Sequence, residues 1–318
     1  MRGRRLLRTV DWMMSSARDR MLDGLPVTER RLRLAGVSTV VLEGGDGPPL
    51  VLLHGAIESG GAYWAPVIER LAERHRVVVP DVPGLGESEP VADLTPDVFA
   101  EWFRALLRET CEDRPTLVGH SMGGSLAARY AVQNGESLGR LVIYAGTGVG
   151  PYRIPVALAI RVIRFGLRPS EKNADRLDEF GFFDLDAARR RDGEWIKAWS
   201  LYARERAAMP HVKRTMRRLI QRGKKQIPEA ELRRIGIPAS LIYTSHDRFV
   251  PLSVARWASA RLGWPLRVID EAGHVPHIER PEVFCDELQA RLHHRIPSLG
   301  GPGGASTLRG EAARAGGS

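Results

Sequence analysis

Six short apolar runs constrain this chain most: PLVLLHG (49–55), RVVVPDVPG (76–84), PTLVGHS (115–121), LGRLVIYAG (138–146), IPASLIYTSHD (237–247) and PLRVIDEAGH (265–274). Each is too short for a stable helix and lacks the polar alternation of a half-exposed strand, so each reads as a strand buried on both faces. Between them lie helical patterns at 63–73, 97–110, 122–133 and 253–262, with another following at 281–294. Strands alternating with helices predict a doubly wound, mostly parallel sheet flanked by helices. Ahead of these runs, RRLRLAG and VSTVVLEGG form a hairpin pair turning at Gly36. A helix-rich, strand-poor piece interrupts the alternation after the sixth strand. The expected organisation is an amphipathic N-terminal helix (1–25), a core (26–150 and 235–296), a helical cap (151–234) and a disordered Gly-rich tail (297–318).

In a parallel sheet, the loops leaving the C-terminal strand ends converge. Here those loops carry Ser121, Asp247 and His274, in that chain order. A serine hydroxyl is a weak nucleophile that needs a base. An imidazole takes the proton and returns it to the leaving group, and a buried carboxylate fixes the imidazole tautomer. Gly119-His120-Ser121-Met122-Gly123 follows a strand and opens a helix. Gly119 and Gly123 keep that sharp turn free of side chains, and the serine sits beside unpaired helix N–H groups.

These stretches together, LLHG (52–55), DVPGLGES (81–88), GHSMGG (119–124), SHDRFVP (245–251) and AGHVPHIERP (272–281), resemble the α/β-hydrolase family over residues 30–295. The resemblance implies Ser121 as nucleophile, His274 as base and Asp247 as its partner. It also implies an oxyanion hole from the backbone N–H groups of Met122 and Ala56. His277 is the competing base; Asp270, Glu271 and the Thr147 region are the competing positions for the acid. His54, His120 and His246 are expected to be structural neighbours, and the glycines of AGTGVG a flexible exit into the cap.

Serine at the elbow argues against the family's haloalkane dehalogenases and epoxide hydrolases, which use aspartate there. HGAIES and GHVPH depart from the HGxGPG motif, and the tryptophan after the base, of its carbon–carbon bond hydrolases. The expectation is therefore a carboxylic ester hydrolase working through an acyl-enzyme on a small, partly apolar substrate. Acyl transfer, C–C hydrolysis and a non-catalytic binding scaffold are the alternatives. No cofactor or metal is implied.

Charge is unevenly spread over the net +9. Residues 1–33 hold nine Arg against four acidic residues, and 151–234 hold twenty-one Lys or Arg against eleven. Such an excess suits anionic membranes, acidic substrates or ordinary solvated faces. No nucleic-acid motif accompanies it. The stripe Leu6, Leu7, Val10, Met13, Met14, Ala17 and Met21 either docks on the chain itself or lies on a membrane. The apolar run 154–167 is expected to line an acyl pocket and hold the cap on the core, and the basic run 213–225 to face a membrane, guide a carboxylated substrate or form a solvated helix face. With no spanning segment and no clean signal peptide, the expectation is a cytoplasmic protein, peripheral to membranes through residues 1–25 and the basic cap. Cys111 and Cys285 read as small buried hydrophobes.

Overall fold

A computed structural model describes residues 15–223 and 225–293. The central sheet has eight strands in the order β1-β2-β4-β3-β5-β6-β7-β8. They are β1 (Thr28–Leu34), β2 (Val37–Gly44), β3 (Pro49–Leu53), β4 (Arg76–Pro80), β5 (Thr116–His120), β6 (Arg140–Tyr144), β7 (Ala239–Thr244) and β8 (Leu266–Ile269). The hairpin β1–β2 and the β2–β4 pair are antiparallel, and every pair from β4 to β8 is parallel. The turn between β1 and β2 uses Ala35 as well as Gly36, both at positive φ.

The helices, in chain order, are α1 (Ala17–Leu22), α2 (Ala65–Ala72), α3 (Pro96–Thr110), α4 (Met122–Asn134), α5 (Val156–Leu167), α6 (Glu171–Gly181), α7 (Leu185–Ala208), α8 (Pro210–Gly223), α9 (Glu229–Leu232), α10 (Leu252–Leu262), α11 (Pro276–Glu279) and α12 (Pro281–His293). Five of them, α5 to α9, lie between β6 and β7. None of the described helices is long and apolar enough to cross a membrane.

The strand period of two sorts the core into two layers. Val51 and Leu53 of β3 join Phe99, Trp102 and Phe103 of α3, Ala127 and Tyr130 of α4, and Ala255 and Ala258 of α10 on one face. Leu50 and Leu52 join Trp64, Val67, Ile68 and Leu71 around α2, and Phe284 and Leu288 of α12, on the other. Both faces of the inner strands are thus covered, which is why they are almost wholly apolar. The edge strand β8, expected to be buried on both faces, is only half-buried, with Arg267 exposed, because no further strand lies beyond it. The buried Trp102 indole is satisfied by Thr39 Oγ1 at 2.9 Å.

Several expectations change here. The AGTGVG segment is packed, not slack. All six of its residues are buried, and a Cβ on Gly146 would meet Ile143 at 2.3 Å, one on Gly150 the Val254 carbonyl at 2.7 Å. The apolar run 154–167 buries only Leu158 and Phe165 of its α5 portion. The basic run lies on α8, where Arg218 and Arg222 bind the carbonyls of Ala92 and Leu94 and Arg222 pairs with Asp93 at 2.6 Å. Most of the N-terminal stripe, and the tail, lie outside the described residues. The described part of the stripe, Ala17 and Met21, packs against Trp199 and Tyr202 of α7.

Candidate functional site

Ser121 joins β5 to α4 with φ 52 and ψ −118, a conformation costly for a residue with a Cβ. The surroundings over-determine it. Its N–H donates to the Tyr144 carbonyl at 2.9 Å, and its own carbonyl accepts from Gly124 and Thr147 at 3.0 and 3.1 Å. The flanking glycines are there for space. A Cβ on Gly119 would lie 2.6 Å from the Gly123 carbonyl oxygen, and one on Gly123 would lie 2.4 Å from that of His54. A Cβ on Gly55 would lie 3.0 Å from the Ser121 Cβ, so the loop after β3 passes directly beside the serine. Ser121 is half-buried, whereas Asp247 and His274 are buried.

The imidazole of His274, on the loop after β8, approaches Asp247, on the loop after β7, with Nδ1 and Oδ2 2.8 Å apart. The other oxygen of Asp247 accepts the N–H groups of Phe249 and Val250 at 2.7 and 2.9 Å. One carboxylate thus holds two chain segments, leaving Nε2 of the imidazole facing away from it. Phe249 stacks on the His274 ring at 4.7 Å between centroids. The backbone is fixed as well: His274 N–H donates to the Gly181 carbonyl of α6 at 2.7 Å, and the His274 carbonyl accepts from His120 Nε2 at 3.1 Å.

The other histidines separate clearly from this one. His277 is fully buried, its Nδ1 2.8 Å from the Tyr144 hydroxyl, and desolvation pushes its pKa down to about 3. His54 is held down to about 4 by burial, so its Nδ1–H donates to Gly55 while Nε2 accepts from Val82 N–H at 2.9 Å. That bond ties the turn carrying Ala56 to the loop after β4. Burial lowers His120 too. His246 lies against Phe183, the rings tilted with centroids 4.5 Å apart. Asp270 and Glu271 are exposed, and Glu271 pairs with Arg280. Thr147 gives its backbone N–H to the serine turn. The N–H of Met122 heads α4, where no intrahelical acceptor exists; Ala56 lies in the turn beside Ser121. Among the described residues no group of three His, Cys, Asp or Glu side chains is placed to hold a metal. Both cysteines are free.

Three acidic residues escaped the sequence reading. Glu279 accepts the N–H groups of Gly273 and Phe183 at 2.8 and 2.7 Å, bracing the histidine loop against the 182–184 turn. Its place five residues beyond His274, in HVPHIE, was the available signal. Glu58 lies two residues past Ala56, and Asp178 lies on α6, one turn before Gly181. Burial raises Glu58 to about 7. Burial, then the charge of Asp175, raises Asp178 to about 8, and Glu58 adds to that repulsion. Arg189, which opposes this rise, is tied to Asp175 at 2.6 Å. No pattern in the sequence links Glu58 to Asp178, 120 positions apart.

Residues 50–287 match the model of the Alpha/beta hydrolase family. The chain is 28% identical over 279 residues to 2-hydroxy-6-oxo-6-(2'-aminophenyl)hexa-2,4-dienoic acid hydrolase of Metapseudomonas resinovorans, covering 84% of this chain and 91% of that protein. It is 28% identical over 249 residues to pimeloyl-[acyl-carrier protein] methyl ester esterase of Nitrosomonas europaea, covering 77% and 96%. Among solved structures, a bacterial membrane phospholipase A superposes with a TM-score of 0.72 at 26% identity, covering 90% of each chain. With the sheet order, the β5–α4 serine turn and a family match across three quarters of its length, the chain belongs to the α/β-hydrolase family.

Proposed function

We propose that this hydrolase cleaves a carboxylic ester of a small, partly apolar substrate through an acyl-enzyme, with Ser121, His274 and Asp247 as its triad. The observation that carries the reading is the strained, half-open Ser121 at the head of α4, on the same sheet edge as the His274–Asp247 pair. Ser121 Oγ attacks the acyl carbon while His274 Nε2 takes its proton. Asp247 holds the tautomer and stabilises the imidazolium. The N–H groups of Met122 and Ala56 receive the charge that develops on the carbonyl oxygen. His274 returns the proton to the departing alkoxide. Water then attacks the acyl-enzyme by the same route and frees the acid.

Similarity to both a dienoic acid hydrolase and a methyl ester esterase keeps C–C cleavage as the second reading. HGAIES and GHVPH, which depart from the HGxGPG motif and following tryptophan of the C–C hydrolases, favour the ester.

Fluorophosphonate labelling with intact-mass readout tests the proposal. The wild type should gain one adduct and Ser121→Ala none. A folded wild type that stays unlabelled, with the probe small enough to enter, removes Ser121 as nucleophile.

A further inference from the structure

Helix α5 has two apolar faces. Leu158 and Phe165 point inward. Val156, Ile160, Ile163 and Leu167 are 76%, 44%, 59% and 78% exposed. Their spacing of four, three and four residues places all four on one stripe, turned away from the buried pair. The stripe runs about 16 Å at 1.5 Å per residue. Soluble surfaces scatter single apolar residues; an aligned row of large aliphatics marks a surface that something covers.

The charges around the stripe say what. Arg153 precedes the helix, Arg164 flanks the stripe and Arg168 follows it, all exposed. Among the described residues none of the three pairs with a carboxylate. Arg161, by contrast, is engaged by the Ala157 and Arg176 carbonyls and lies over the Phe180 ring. The covering body must be apolar in its middle and negative at its rim. Residues 1–14 of this chain carry four Arg against one Asp, the wrong sign. A second copy related by a two-fold axis would set the three arginines against their own counterparts. An anionic phospholipid surface meets both demands: its acyl boundary takes the aliphatic side chains and its phosphates take the guanidiniums.

We propose that α5 is a membrane-docking helix, laying Val156, Ile160, Ile163 and Leu167 into an anionic lipid surface with Arg153, Arg164 and Arg168 on the headgroups. The proposal stands independently of the ester reading. Through α6, which follows α5 and holds the His274 N–H at Gly181, docking places the candidate site next to the bilayer.

The test uses the full chain and vesicles of phosphatidylcholine alone or mixed in equal parts with phosphatidylglycerol. The wild type should co-sediment with the mixed vesicles at low salt, much less with the neutral ones, and lose binding as salt screens the arginines. Replacing Val156, Ile160, Ile163 and Leu167 together by serine should weaken binding at least tenfold. The triple variant Arg153→Gln, Arg164→Gln, Arg168→Gln should weaken it roughly a hundredfold. Both variants should keep the wild-type circular dichroism and melting temperature, since none of these side chains packs inside. The proposal falls if the wild type stays in the supernatant, or if the serine variant binds like the wild type while deletion of 1–14 abolishes binding. It also falls if the stripe proves to close a dimer that the serine variant dissolves.

Discussion

At the residue scale, Ser121, His274 and Asp247 are set apart from their neighbours by environment. His54 and His277 are buried and held neutral, at about 4 and about 3. His274 has a carboxylate on Nδ1 and a second nitrogen free of it. Asp247→Asn should therefore keep the fold and substrate affinity while lowering kcat by about 10⁴-fold, because an amide lets the imidazole adopt the wrong tautomer. Steady-state kinetics on an aryl ester, with KM unchanged, checks this. Gly123→Ala acts differently. Its Cβ would press on the backbone carbonyls of His54 and Leu53, at 2.4 and 2.6 Å, with no flexible side chain to yield. It should cost about 3 kcal/mol or more in urea unfolding, and displace the β3 loop that carries Ala56.

At the element scale, α6 is the helix to watch. Its C-terminal Gly181 carbonyl anchors the histidine loop, and its Asp178 faces Glu58 from the loop after β3. Both carboxyls are raised, to about 8 and about 7. In the unfolded chain they lose their protons in the ordinary carboxylate range. The folded state therefore holds more protons from that range up to about pH 8, and stability falls as pH rises through the window. Glu58→Gln and Asp178→Asn should each flatten that fall and leave the protein about 1 kcal/mol more stable at pH 9, a figure reduced for their partial solvent contact. Thermal unfolding across pH 5 to 9 measures the slope; wild-type and variant curves that run parallel would remove the pair from the account. Helix α3 is anchored by Trp102, and Trp102→Ala should cost about 4 kcal/mol by opening a cavity and removing the bond to Thr39, whose hydroxyl keeps the Val37 carbonyl.

At the scale of the whole molecule, reaction choice depends on what the helices between β6 and β7 bring over the sheet edge. Glu58 and Asp178 ionise only above about pH 7 and 8, so the preference for a neutral aryl ester over an anionic dienoic keto acid, read as the ratio of kcat/KM, should rise between about pH 6 and pH 9, and Glu58→Gln with Asp178→Asn should flatten that rise. Much of this architecture was legible in the chain itself. Six apolar runs alternating with helices pointed to a parallel sheet covered on both faces, as such strands need, and this holds for the inner strands but not for the half-buried edge strand β8. The strand–GHSMG–helix context determined the strained serine turn, and chain order pointed to Asp247 and His274, since these signals are local or tied to strand ends. The helices of 151–234 were legible as helices, yet not in where they face. The apolar run 154–167 read as pocket lining and stands half in solvent; the basic run 213–225 read as a free face and grips the 92–94 loop. Periodicity records which residues share a face, and only packing decides which face is covered. The Glu58–Asp178 encounter was likewise beyond the sequence, because a pairing across 120 residues leaves no local pattern and exists only once α6 lies over the β3 loop.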